Sequence, residues 1–336
     1  MGPAASAPTD ERKDVAMSTA PERTVVVIGA GTIGQGWIAL FRAHGLRVRV
    51  NSRRAGAEGI VREALALFAP QLPGAPEPGA LAEGLEFEPD VERAVVGADV
   101  VVENAPERLA LKQELFERIG KAAPSDALFL SSTSTLGPDD LGARMADPSR
   151  LVVGHPFNPP HVVPLVEVVA GERTQAGAVR EAMDFYRSVG RVPVPLRKPF
   201  PAFAANRLQS ALLRESIHLV REGVVTVEEL DDIVTHSIGL RWSTVGPFLA
   251  FHLGGGEGGL RKWLTTLGAG LEEGWRGLGS PTMDQETVEE LIGQAESAFG
   301  GRSYAELVRA RDARQTAVLR ALAEVAAQEK RAGGGT

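Results

Sequence analysis

The chain contains no cysteine. A disulfide framework, a thiolate zinc site, an iron–sulfur cluster and a cysteine nucleophile are therefore excluded. No apolar run reaches 18 residues, so no membrane-spanning helix is expected. Positive charge is in the minority: 36 Lys and Arg stand against 43 Asp and Glu, a formal −7, which disfavours nucleic acid and anionic membranes as partners. What is present is an ordinary globular balance, 43% hydrophobic and 24% charged, in a 336-residue chain long enough for two domains. Residues 1–22 are small, polar and proline-containing, and read as a mobile tail. They have no apolar stretch of the kind a secretory signal carries, which predicts a cytoplasmic protein.

The pattern changes at Thr24. The β-branched run 24–28 (TVVVI) predicts a strand buried on both faces. Gly29, Gly31 and Gly34 follow in G-x-G-x-x-G spacing, then a helical stretch to His44, a glycine at the helix end (Gly45) and an alternating strand over 46–50. This is the opening of a doubly wound, mostly parallel α/β sheet of Rossmann type. Further strands are predicted at 100–102, 128–130, 151–153, 165–169 and 192–195, with helices at 57–68, 91–98, 109–122 and 175–189, and a Pro/Gly-rich loop over 69–84. After Pro201 the pattern is helical, clearest at 204–222, 226–238 and 284–327, with glycine-rich breaks at 254–259 and 274–281. The expected organisation is thus a cofactor domain over 23–200 and an all-helical substrate and dimerisation domain over 201–330.

The glycine motif predicts dinucleotide binding. Gly29 permits the tight turn, Gly31 lets the backbone approach a pyrophosphate, and Gly34 lets helix and strand pack closely. The amides of the first helical turn, at Thr32 and Ile33, face the phosphates. NAD-binding chains usually place a carboxylate at the end of the second strand for the ribose 2′-hydroxyl. Here the sequence reads Asn51, Ser52, Arg53, Arg54. A hydroxyl and two guanidinium groups suit a 2′-phosphate, so NADP(H) is expected to be preferred, with NAD(H) as the alternative.

These residues, joined with the segment 154–159 (GHPFNP), the segment 165–168 (LVEV) and the segment 206–208 (NRL), resemble the 3-hydroxyacyl-CoA dehydrogenase family from about Thr24 to about Gly259. The helical half is similar to the lambda-crystallin, gulonate 3-dehydrogenase and carnitine dehydrogenase branch. The NSRR turn, the Gly36–Trp37 pair and the poor CoA arm look most like the aromatic-polyketide ketoreductases of the actinorhodin type.

Hydride transfer to or from a carbon–oxygen centre needs a proton donor or acceptor and stabilisers of negative charge on oxygen. His155 follows the strand 151–153, at the sheet end where α/β sites lie. Glu167 stands in a run too apolar for an unpaired carboxylate, and a carboxylate on imidazole holds its tautomer. The resemblance puts the proton-transfer dyad on these two. It also implies carbonyl donors at Ser134, in the segment 131–135 (SSTST), and at Asn206, and places Glu107 and Lys112 near the nicotinamide.

Two departures stand out. No lysine occurs between Lys13 and Lys112, where the family carries lysines for the CoA phosphates. The family's Pro-Gly-Phe before the asparagine is Pro201, Ala202, Phe203 here, and the added methyl predicts a backbone without positive φ. The expectation is an NADPH-dependent ketoreductase of a β-keto acid or polyketide intermediate, homodimeric as the family is. The enzymatic alternative is a hydroxyacyl-CoA, gulonate-type or carnitine dehydrogenase, and the non-enzymatic one a crystallin-like cofactor-binding protein.

Overall fold

The computed structural model describes residues 23–333, so the expected tail at 1–22 lies outside the described residues. One eight-stranded sheet organises the first domain: β1 Thr24–Ile28, β2 Arg47–Asn51, β3 Glu86–Phe87, β4 Val100–Glu103, β5 Leu128–Ser131, β6 Leu151–Pro156, β7 Leu165–Val169 and β8 Val192–Pro195. Their order is β3-β2-β1-β4-β5-β6-β7-β8. Every pairing is parallel except β6 with β7. The β-branched runs of β1 and β4 are buried because helices cover both faces of the sheet.

On one face lie α1 Thr32–Ala43, α2 Ala57–Phe68 and α3 Pro78–Ala82, with α7 Ala176–Ser188. On the other lie α4 Val91–Ala94, α5 Leu109–Ala122 and the short α6 Pro138–Leu141. The 69–84 stretch, expected as loop, holds the short α3, whose Leu81 and Ala82 are buried. The helix expected over 91–98 stops at Ala94, because Gly97 takes a left-handed φ of 71°. The short strand β3 had no sequence signal of its own.

The second domain is helical: α8 Ala205–Arg221, α9 Val227–His236, α10 Ile238–Thr244, α11 Pro247–Gly254, α12 Gly259–Thr265, α13 Leu271–Arg276, α14 Gln285–Phe299 and α15 Tyr304–Gly333. The expected single stretch over 284–327 is two helices, broken at residues 300–303. Local signals explain several starts. Thr226 and Glu229 form a reciprocal capping box on α9, and Asp284 caps α14 through the Thr287 amide. The terminal helix α15 returns to the cofactor domain. Its buried Asp312 lies 3.2 Å from Nε2 of the buried His161, whose ring stacks on Phe68 of α2 at 4.0 Å. No described helix is long and apolar enough to cross a membrane.

Candidate active site

Strand order reverses between β1 and β4, and a crevice opens beyond their carboxyl ends, where open α/β sheets hold their ligands. A cavity of about 630 Å³ occupies it, lined by Gly29, Gly31, Ser52, Arg53 and Arg54 among others. The glycine motif fits a pyrophosphate there. Gly29 has φ +91°, and a Cβ on it would lie 2.7 Å from the Asn104 carbonyl. A Cβ on Gly34 would collide with the Gly29 carbonyl, whereas one on Gly31 would meet only open space. No side chain caps α1 at Gly31, so the first-turn amides of Thr32, Ile33 and Gly34 are left for an anion.

At the far end of this cavity, Asn51 is occupied by the fold. Its amide donates to the carbonyls of Glu88 at 2.8 Å and Pro89 at 3.1 Å, locking the exit of β2. Ser52 and the exposed Arg53 and Arg54, expected at the adenosine ribose, line the cavity beside it.

The expected proton-transfer pair sits on adjacent strands. His155 lies within β6, which runs beyond the expected strand 151–153, and pairs in antiparallel register with Glu167 of β7. Side by side on one sheet face, Nδ1 and Oε2 stand 2.9 Å apart, and both side chains are buried. The second carboxylate oxygen of Glu167 accepts the amides of Ala204 at 2.9 Å and Ala205 at 3.0 Å, at the N-terminus of α8. Burial alone would raise the Glu167 pKa. The hydrogen bonds from His155, Ala205 and Ala204 outweigh it and hold the carboxyl below its ordinary value. This anchor also places Asn206, half-buried in the first turn of α8. The cap position belongs to Ala204, so Asn206 is not tied up as a helix cap. Phe157 and Phe203 flank the imidazole, with ring centres 5.3 Å and 5.4 Å away.

The approach to α8 departs from expectation. Ala202 and Phe203 both take positive φ, 59° and 52°, although neither is glycine. The added methyl does not exclude positive φ here, and the left-handed turn carries the buried Phe203 ring to His155.

Ser134 is half-buried in the loop after β5. Its backbone amide donates to Glu107 at 3.1 Å, as does the amide of Thr135 at 3.2 Å, and the hydroxyls of Thr133 and Thr135 bond the same carboxylate oxygen. Burial would raise the Glu107 pKa, but these donors and the charge of Lys112 lower it overall. Lys112 does not fit the direct cofactor contact expected of it. It is 1% exposed, with its ammonium 2.7 Å from Glu103 and 3.4 Å from Glu107.

Glu103 is the residue that sequence reasoning missed. It ends β4, is fully buried, and accepts the Ser131 hydroxyl at 2.5 Å and the Ala105 amide at 2.6 Å besides Lys112. The available signal was a charge closing an apolar strand, residues 100–103 (VVVE).

Comparison with known proteins agrees with this layout. Residues 24–199 match the NAD binding domain of 3-hydroxyacyl-CoA dehydrogenase, and residues 203–298 match its C-terminal domain. L-carnitine dehydrogenase of Pseudomonas aeruginosa is 44% identical over 307 residues, 91% of this chain and 96% of that protein. L-carnitine dehydrogenase of Streptomyces coelicolor is 42% identical over 315 residues, 93% of this chain and 99% of that protein. Among solved structures, FHMPC 5-dehydrogenase, described as an NAD+ dependent dismutase, gives a TM-score of 0.73 at 29% identity, covering 89% of this chain and 98% of that one.

These relatives overturn the expected polyketide ketoreductase. The likeness to L-carnitine dehydrogenases runs over nine-tenths of the chain, whereas the polyketide reading rested on the NSRR turn, one Gly-Trp pair and missing lysines. An assignment to polyketide or antibiotic biosynthesis goes with it.

Proposed function

Because this chain belongs to the 3-hydroxyacyl-CoA dehydrogenase family, and so to the oxidoreductases acting on CH–OH groups, we propose that it oxidises the secondary alcohol of a small zwitterionic 3-hydroxy acid of the L-carnitine class. The observation that carries the chemistry is the buried 2.9 Å pair of His155 and Glu167 at the carboxyl end of the sheet. The substrate class rests on the relatives. It also agrees with the absence of lysine between Lys13 and Lys112, since such an acid brings no CoA phosphates to bind.

The residues divide the work as follows. His155 takes the hydroxyl proton during oxidation through its Nε2, while Glu167 holds Nδ1 and supports the charge that develops on the ring. Ser134 and Asn206 donate to the substrate oxygen and orient it. A bound nicotinamide dinucleotide supplies the hydride exchange. In L-carnitine the quaternary ammonium is two bonds from the reacting carbon, so its recognition must occur beside the dyad. The half-buried Phe157 is the aromatic face available there for a cation.

Arg53 and Arg54 favour NADP(H) within this reading, since no carboxylate ends β2. The helical domain serves as a homodimer interface, supported by its exposed Leu208, Phe248 and Leu253 at 69%, 77% and 62%.

The test is oxidation of L-carnitine followed by nicotinamide absorbance, with NAD+ and NADP+ in parallel and 3-hydroxybutyryl-CoA as competitor substrate. L-carnitine should give the higher kcat/KM. Replacing both Arg53 and Arg54 by alanine should raise KM for NADP+ about tenfold, the size of about 1.4 kcal/mol of lost charged hydrogen bonding, and leave KM for NAD+ nearly unchanged. Preference for the CoA ester would reject the substrate class. A wild-type preference for NAD+ would reject the arginine reading alone.

A further inference from the structure

Beneath the residues that face a substrate lies an ion-pair cluster that the reaction itself does not use. We propose that Glu103 is a positioning residue: with Lys112 and Glu107 it holds the loop after β5 in the one arrangement that presents Ser134 to the substrate oxygen. The proposal rests on the donor role of Ser134 given above.

Glu103 sits in register between Ile28 of β1 and Ser131 of β5, at the rim where the sheet meets the cleft. Its carboxylate is fully buried, and a buried carboxylate is costly unless every lone pair is met. One oxygen takes the Ala105 amide and the Lys112 ammonium, the other the Ser131 hydroxyl. Its own carbonyl takes the Ser132 amide at 2.9 Å. One residue thus grips both the loop after β4 and the loop after β5.

Lys112 extends the grip. From Glu103 its ammonium reaches Glu107, and Glu107 gathers Thr133, Ser134 and Thr135 on a single oxygen. The chain of contacts therefore runs from the core of the sheet to the amide of Ser134. A buried pair of this kind contributes little net stability compared with apolar residues of the same volume. Its distinctive contribution is direction. Within the 131–135 segment the side chains are short hydroxyls, and only Ser131 and Thr133 are buried, so packing alone specifies that loop weakly.

The test removes both charges together, Glu103→Gln with Lys112→Met, since losing one would leave the other unpaired in the core. Amide hydrogen exchange is measured on the whole protein without ligand. Ser134 and Thr135 should exchange at least about tenfold faster, with the rest of the sheet unchanged. Unaltered exchange at these two amides overturns the proposal, whatever the substrate.

Turnover of L-carnitine gives the second reading. The double variant should lower kcat by about 10- to 100-fold, the cost of a misplacement near 1 Å, while dinucleotide affinity changes little. In a Ser134→Ala background the same two changes should cost less than about twofold, because coupled residues are not additive. Full multiplication of the two losses would overturn action through Ser134 while leaving the proposed function intact. A fully active Ser134→Ala enzyme would remove both that donor role and this proposal. Should the double variant not fold, Ser131→Ala removes one bond to Glu103 and enters the same cycle, with a smaller loss expected and additivity again decisive.

Discussion

Glu167 joins two tasks in one carboxylate. One oxygen orients the imidazole of His155 and the other anchors the start of α8, so chemistry and domain placement share a residue. Its lowered pKa has a consequence of definite sign. A carboxyl whose folded pKa lies below its unfolded value, about 4.3, contributes stability above that value and loses it as pH falls through the folded one. Glu167→Gln should therefore flatten the acid limb of a melting-temperature profile below about pH 5, in proportion to its share of that limb. The limb also draws on Glu107 and Asp312, whose pKa values are lowered too. An unchanged acid limb would mean that the Glu167 contacts do not stabilise the fold. His155→Ala should cost about 10²- to 10⁴-fold in turnover, as the loss of a general acid–base does, with dinucleotide binding retained. Wild-type turnover in that variant would take histidine out of the mechanism.

At the scale of elements, the turn from β8 into α8 is where local preference and tertiary need conflict. Two consecutive non-glycine residues hold left-handed φ, at about 1–2 kcal/mol each. The conformation persists because Phe203 is buried against the dyad and the next two amides bind Glu167. Ala202→Gly should relieve one of these strains. After the entropic cost of glycine, a net gain of about 1 kcal/mol is expected, seen as a rise of roughly 1–2 °C in melting temperature. A fall would show that the turn is not strained at that residue. The helix α1 shows the opposite case, in which element and ligand needs coincide: its N-terminus has no side-chain cap, and the phosphates it is built to meet would supply the missing acceptors.

The whole molecule combines a well-covered sheet with a helical domain whose large apolar side chains face outward. Phe248, Leu249, Leu253 and Trp275 are exposed, as are Leu208 and Leu240, and large apolar side chains left open in this way suit an interaction surface. Under the proposed homodimer, a second copy of the chain would cover this surface. Light scattering should give the mass of a dimer. Phe248→Asp with Leu253→Asp should shift it toward monomer by placing charges in the buried interface. A monomeric wild type, or a dimer indifferent to both charges, would reject this surface as the interface. The terminal helix α15 has a separate attachment, the His161–Asp312 pair, which ties it back onto the cofactor domain.

The sequence by itself determined the parts that depend on local pattern. Strands buried on both faces read as apolar runs, the G-x-G-x-x-G turn announced its cradle, and a charge inside an apolar strand pointed to Glu167. Those signals are local because burial, turn conformation and helix ends act over a few residues. Tertiary structure decided what depends on distant partners. Lys112 looked like a helix-surface or cofactor-facing residue until Glu103, nine positions earlier, closed over it in the core. His161 had no visible partner, since Asp312 is 151 residues away. Ala202 could be read only as lacking glycine's freedom, because the packing of Phe203 that enforces positive φ is long-range. The substrate was least legible of all: a few substitutions at the cofactor end suggested polyketides, while the similarity that runs over nine-tenths of the chain is to L-carnitine dehydrogenases. Substrate choice depends on the joint placement of residues far apart in the chain, which no short motif encodes.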